Sequence, residues 1–155
     1  MRVYLACTVR GDRDSLPAVR AILDGLARHG HEVLTEHLLR DDVEEVESAL
    51  SDGEVYERDM RWLASCDALV AEASGSSYGV GFEVASVLAA AERTGQRVFV
   101  FYDAARRGRV SRLVSGNTHP RCMTFGYSTV EEVARFIDEH FARGAATADG
   151  PRRRC

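Results

Sequence analysis

The chain has 155 residues, 45% of them apolar, and a formal net charge of −4. This is the size and composition of one ordinary soluble domain with room for a core. It offers no global basic field to attract nucleic acid, and no run of 18 apolar residues that could span a membrane.

Met1-Arg2-Val3-Tyr4-Leu5-Ala6 enters a strand pattern directly, without the layout of a signal peptide. Cys7, Cys66, Cys122 and Cys155 have no CxxC spacing and no nearby His partner. They read as reduced thiols of a cytoplasmic protein, with no zinc site. The first strand is Val3 to Cys7, followed by the polar loop Thr8 to Asp14. Leu16, Val19, Ile22, Leu23 and Leu26 fall at helical spacing over Ser15 to Arg28, with Ser15 as a cap, Pro17 in the first turn and Gly30 as the stop. Glu32 to Glu36 reads as a second strand. Asp41 to Asp52 is acidic and poorly patterned, a weak helix or a mobile segment whose charges read as a solvated face without function.

Glu54 to Ala64 is a better-patterned helix, and Ala68 to Glu72 a buried third strand. Ser74 to Glu83 is a strand-to-helix turn rich in Ser and Gly, its helix running to about Thr94 and stopped by Gly95. Arg97 to Tyr102 is a fourth strand, Asp103 to Arg109 a basic loop, and Val110 to Ser115 a short helix. Arg121 to Phe125 is a fifth strand, and Ser128 to Phe141 an amphipathic helix capped by Ser128. Residues 143–155 read as a disordered tail, leaving 1–142 as the domain. Strands alternating with helices imply an α/β fold with a parallel sheet covered on both faces. Ligands then bind outside the carboxyl ends of the strands, which directs attention to the turns Thr8 to Asp14, His37 onward, Ser74 to Gly81 and Asp103 to Ser111.

Those turns carry hydroxyls, arginine and acids. Gly79-Val80-Gly81 lacks the third glycine of a dinucleotide fingerprint and follows the third strand, and no Walker-type loop is present. Hydroxyls and an Arg beside a helix N-terminus suit a phosphate monoester. Two carboxylates suit cleavage of a glycosidic bond. Glu83 is either such a carboxylate or a solvent-facing acid favoured by the helix dipole. Asp59 taken alone reads as a surface acid, His37 as structural, and Tyr4 as core.

Five segments together are more specific. Tyr4-(x)3-Thr8-Val9-Arg10-Gly11, Leu34-Thr35-Glu36-His37, Glu57 to Leu63, Cys66 to Glu72, and Ser77-Tyr78-Gly79-Val80-Gly81-Phe82-Glu83 keep their order and spacing. The chain thereby resembles the 2′-deoxynucleoside 5′-monophosphate N-glycosidases (the Rcl proteins) of the nucleoside 2-deoxyribosyltransferase superfamily, over residues 2 to 141. The resemblance implies a flavodoxin-like, Rossmann-like three-layer sandwich with a five-stranded parallel sheet. It also implies a homodimer and cleavage of the base–sugar bond of a small-molecule nucleotide without metal or cofactor. It assigns the nucleophile to Glu83, the acid to Asp59, and to Tyr4 the aromatic beside the sugar that helps set the carboxylate. Substrate binding falls to the loop Thr8-Val9-Arg10-Gly11, with Ser77 and, across the dimer, Ser111; Thr8, Arg10, Ser77 and Ser111 match the 5′-phosphate binders. Gly79 and Gly81 lie near the sugar phosphate, and His37 where the base pocket opens.

Ser77 also separates branches of the superfamily. Enzymes acting on unphosphorylated nucleosides place an acid near that position to hold the 5′-OH, and a hydroxyl leaves room for a phosphate. Two departures stand out: Cys7 replaces a family Gly, and Asp12 brings a negative charge to the phosphate loop. They keep open a ribonucleotide N-glycosidase of the CMP type, as found in nucleoside-antibiotic pathways. The same residues also fit a deoxyribosyltransferase, or a non-catalytic nucleotide sensor on the same fold.

Overall fold

A computed structural model describes residues 1–9, 12–40 and 42–142. Arg10, Gly11 and the expected tail 143–155 lie outside the described residues. The strands are β1 (Arg2–Ala6), β2 (Glu32–Val33), β3 (Ala68–Glu72), β4 (Arg97–Asp103) and β5 (Cys122–Tyr127). They form one sheet in the order β2-β1-β3-β4-β5, and every pairing is parallel. The helices are α1 (Leu16–Arg28), α2 (Val43–Ser48), α3 (Asp52–Ser65), α4 (Tyr78–Thr94), α5 (Arg112–Ser115) and α6 (Val130–Phe141). The expected α/β fold with a five-stranded parallel sheet is therefore observed.

Strand residues alternate between two cores because successive side chains leave a strand on opposite faces. Val3, Leu5, Val70, Phe99 and Phe101 pack under α1 and α6. Tyr4, Ala6, Leu69, Ala71, Val98 and Val100 pack under α3 and α4. This parity places Tyr4 on the face that receives α3 and α4. A carboxyl group buried between the strand ends is satisfied locally, as a buried polar group must be. Glu72 accepts from the Ser74 hydroxyl at 2.5 Å and the Tyr127 phenol at 3.0 Å, and Ser74 Oγ accepts from the Asp103 amide.

Several element boundaries differ from expectation. β2 ends at Val33, because the Thr35 side chain replaces the next rung of the ladder. Thr35 Oγ1 accepts from the Leu5 amide at 3.0 Å and donates to the Leu5 carbonyl at 2.6 Å, and the chain turns into a short 3-10 helix at Glu36–Leu39. The acidic stretch is ordered into α2 and packs through Val43, which is buried. α3 is longer than its apolar pattern, because Ser51 and Glu54 form a reciprocal capping box. Thr129, one residue past the expected cap, caps α6 by accepting from the Glu132 amide. Ser15 sits at the start of α1 without a side-chain capping bond. Gly95 ends α4 in the left-handed conformation that glycine tolerates, as its position suggests.

Candidate active site

The 2-1-3-4-5 order reverses direction between β1 and β3, and such a switch point opens a crevice at the carboxyl ends of the strands. A cleft of about 580 Å³ lies there. β1 and the turn after it contribute Tyr4, Cys7 and Val9; the turn after β2 contributes Thr35 and His37. α2 and α3 contribute Glu47, Arg58 and Asp59, and the start of α4 contributes Ser77, Gly79 and Glu83.

α4 begins at Tyr78, earlier than its apolar pattern indicates, because Ser77 caps it by accepting from the Val80 amide. Gly79 and Gly81 therefore lie in the first turn, and Glu83 in the second. The Tyr4 phenol donates to Glu83 Oε1 at 2.7 Å, joining β1 to α4. Burial pushes the Glu83 carboxyl up to about 6; the Tyr4 hydrogen bond works against that rise and the nearby Asp59 charge adds to it. Burial, with the charges of Glu83 and Asp59, pushes the Tyr4 phenol far above its usual range, so it remains a donor. With Oε1 engaged, Oε2 is the oxygen left to meet a ligand.

Asp59 faces the same cleft from α3. Its Oδ1 accepts from Arg58 Nε at 2.9 Å. The remaining Arg58 nitrogens clasp Glu47 of α2 in bidentate fashion, at 2.8 and 3.1 Å. The guanidinium lies over the Trp62 ring, 4.8 Å from its centroid. Burial works against the Arg58 charge, yet the bonds to Glu47 and Asp59 outweigh it and hold the guanidinium above its usual range. His37 Nε2 bonds the same Glu47 carboxylate at 3.0 Å, and its ring tilts against Trp62. Burial opposes the Glu47 charge as well, but Arg58 and His37 hold its carboxyl below the usual range.

Of the residues expected at the site, Tyr4, Val9, His37, Asp59, Ser77, Gly79 and Glu83 meet in this cleft. Thr8, Gly81 and Ser111 do not line it. Thr8 is buried against Gly75, where a Cβ would collide with its hydroxyl and stand 2.7 Å from the Asp12 carbonyl. Its hydroxyl has no hydrogen-bond partner among the described residues. Ser111 is exposed at the start of α5. Arg10 and Gly11 lie outside the described residues. Cys7 is buried, and burial pushes its thiol up to about 11, so it is protonated at neutral pH and reads as packing. The Asp12 carboxylate is paired with Arg106 at 2.7 Å, so its charge is compensated.

Sequence reasoning missed Glu47, Arg58 and Trp62. Arg58 and Trp62 carried a signal, since residues four apart on a helix are neighbours. Glu47 carried none, because only the docking of α2 brings it to the cleft. Among the described residues, no group of three or more His, Cys, Asp or Glu is placed to hold a metal ion. No helix of these residues is long and apolar enough to cross a membrane.

Comparison with known proteins gives a consistent picture. Residues 3–134 match the family model described as nucleoside 2-deoxyribosyltransferase. A Thermofilum pendens protein, named provisionally as 2′-deoxynucleoside 5′-phosphate N-hydrolase 1, is 41% identical over 138 residues, covering 89% of this chain and 93% of that one. The 5-hydroxymethyl-dUMP N-hydrolase of Esox lucius is 30% identical over 144 residues, covering 91% and 96%. The CMP N-glycosidase BcmB of Clostridium botulinum superposes with a TM-score of 0.64 at 18% identity, covering 89% and 98%, a likeness of fold.

Proposed function

The chain belongs to the nucleoside 2-deoxyribosyltransferase family, and from that premise we propose that it is an N-glycosidase of 2′-deoxynucleoside 5′-monophosphates. It hydrolyses the bond between base and sugar, releasing free base and deoxyribose 5-phosphate. The names of the relatives support a nucleotide N-hydrolase. The observation that carries the reading is the Tyr4–Glu83 hydrogen bond, formed in a cleft that Asp59 faces from a second helix.

In this reading Glu83 Oε2 attacks C1′ as the C1′–N bond breaks. The bonding electrons go to the base nitrogen, and Asp59 supplies its proton. Water then attacks C1′ of the glycosyl-enzyme. Its hydroxyl stays on the sugar, its proton returns to Asp59, and Glu83 leaves as carboxylate, so the anomeric carbon is retained overall. A carboxyl near 6 is mostly ionised at neutral pH, as a nucleophile must be. Burial keeps it weakly solvated and therefore reactive. Tyr4 leaves one oxygen free and sets its direction.

The 5′-phosphate is assigned to Thr8, Arg10 and Ser77, with Val9 and Gly11 in the same loop. The Thr8 hydroxyl supports this: it is buried with no hydrogen-bond partner among the described residues, and a buried hydroxyl needs one. Holding the phosphate aligns C1′ with Glu83, so remote binding energy lowers the barrier. Gly79 and Gly81 leave the start of α4 open to the sugar phosphate, and His37 faces the base. A homodimer is part of the proposal, with Ser111 reaching the neighbouring site. Leu113, two residues after Ser111, and Tyr78, at the start of α4, are almost wholly exposed, and Phe82 and Tyr56 are half-exposed on α4 and α3. Such apolar groups suit a subunit contact. The buried free thiols Cys7 and Cys66 suit a cytoplasmic location.

The test is base release, by chromatography, from a panel of dNMPs, NMPs and the matching nucleosides. Release from dNMPs but not nucleosides is expected, and Glu83→Gln is expected to abolish it while leaving the thermal unfolding midpoint in place. Release from a ribonucleotide such as CMP would move the assignment to the ribonucleotide branch. Transfer of the sugar to labelled adenine would make it a transferase. Binding without release would leave a sensor.

A further inference from the structure

The arrangement around Arg58 goes beyond this reading. Neighbouring residues on a helix point about 100° apart and do not face each other. Arg58 nevertheless turns back to donate from Nε to the carboxylate of Asp59, the next residue. Two contacts outside that pair explain the geometry. Glu47 clasps both terminal nitrogens from α2, and the Trp62 ring lies beneath the guanidinium plane. The three side chains of the pairing are largely shielded, at 17%, 12% and 24% exposure for Arg58, Glu47 and Asp59. Each Arg58 nitrogen donates to a carboxylate and its charge is matched by Glu47 and Asp59, so Arg58 is placed to act through Asp59.

We propose that Arg58, seated by Glu47 and Trp62, is a positioning residue that fixes the rotamer of Asp59 and directs its Oδ2 at the departing base. The inference rests on the glycosidase reading of the cleft. Asp59 Oδ1 is engaged by Arg58, so Oδ2 is the oxygen left to exchange a proton with the base. When that proton passes to the base nitrogen, the new carboxylate charge forms beside a guanidinium already in place. In the second step the same oxygen takes the proton from water. Glu47 also holds His37, so the base-facing imidazole and the proton donor are fixed by one carboxylate on α2. The segment of densest acidic charge thereby assembles one wall of the site.

A double-mutant cycle on the best substrate of the dNMP panel tests the role in Asp59. Arg58→Ala is expected to lower kcat at least tenfold with KM changed less than threefold. In an Asp59→Asn background the same substitution is expected to cost less than twofold, because residues acting through one another are not additive. Glu47→Gln, which keeps the shape but not the charge, is expected to lower kcat in the same direction.

Trp62 is the only tryptophan of the chain, so its fluorescence reads the seat without substrate. Quenching of Trp62 by acrylamide is expected to rise in both Arg58→Ala and Glu47→Gln. Loss carried by KM, full additivity with Asp59→Asn, or unchanged quenching in Glu47→Gln would each overturn the proposal. If the unaltered protein released no base at all, the glycosidase reading would fall and the positioning role with it. The fluorescence would still decide whether Glu47 seats Arg58.

Discussion

Tyr4 is one of the most buried side chains of the protein, yet its phenol reaches a helix 79 positions further along the chain. Its hydrogen bond favours the ionised form of Glu83, against burial and the Asp59 charge, which both favour the protonated form. The sign of the pH dependence follows. In the proposed mechanism Glu83 must be ionised to attack, so kcat/KM is expected to fall as pH drops through about 6. Tyr4→Phe removes the contribution that lowers the carboxyl, so the acid limb is expected to move to higher pH. A pH–rate profile of both proteins checks this; an unmoved limb would dissociate Tyr4 from Glu83. The rate at neutral pH is expected to drop about tenfold, the worth of one hydrogen bond to a charged group. Tyr4, Glu83 and Asp59 were legible only through five spaced motifs, because each residue alone has an ordinary structural explanation. Glu47 was not legible at all. An acid in an acidic run looks solvated until its partner, Arg58, is seen eleven positions away on another helix.

At the scale of elements, the second strand is instructive. Val33-Leu34 has strand composition, and the chain does begin to pair, but Thr35 then substitutes its hydroxyl for the backbone. That frees the main chain to turn and carry His37 into the cleft. Thr35→Val keeps the shape and leaves both backbone groups of Leu5 buried without partners. It is expected to cost about 2–3 kcal/mol of stability, from the penalty for unsatisfied buried groups, measured by urea unfolding. A loss below about 0.5 kcal/mol would mean that Leu5 finds other partners. The α1–α6 contact makes a second test, since a Cβ on Gly25 would stand 2.7 Å from Ile137 Cγ2. Gly25→Ala is expected to be destabilising by about 1–3 kcal/mol through overpacking, despite the better helix propensity of Ala. α1, α3, β3 and α4 were readable from periodicity, caps and glycine stops, all of which act over a few residues. The boundaries that shifted, at β2, α3, α4 and α6, depended on one or two side-chain hydrogen bonds each.

The whole molecule is organised by strand order. The β1–β3 switch point brings Tyr4 from the first strand together with Asp59 and Glu83 from the two helices that cover one face. Alternation of strands and helices made a parallel sheet the natural expectation, and the family resemblance supplied the flavodoxin-like form. At this scale the proposed dimer has its own test. Leu113→Asp puts a charge into the exposed apolar group beside Ser111. It is expected to convert a particle of twice the chain mass into one of 17.1 kDa in light scattering, and to raise KM for nucleotides. A monomeric unaltered protein would remove Ser111 from the site.

The sequence by itself determined the strands, most of the helices, the two-faced burial and the family, because these follow from local periodicity and from motifs whose spacing survives without coordinates. The resemblance set Tyr4 beside the carboxylate, and the structure supplies the hydrogen bond; only the tertiary structure decided that Thr35 ends a strand, that Arg106 compensates Asp12, and that Glu47 holds Arg58 against Asp59. Each is a contact between distant segments, set by the pairing order of the strands and the docking of short elements. No local preference encodes which distant side chain will lie within three ångströms.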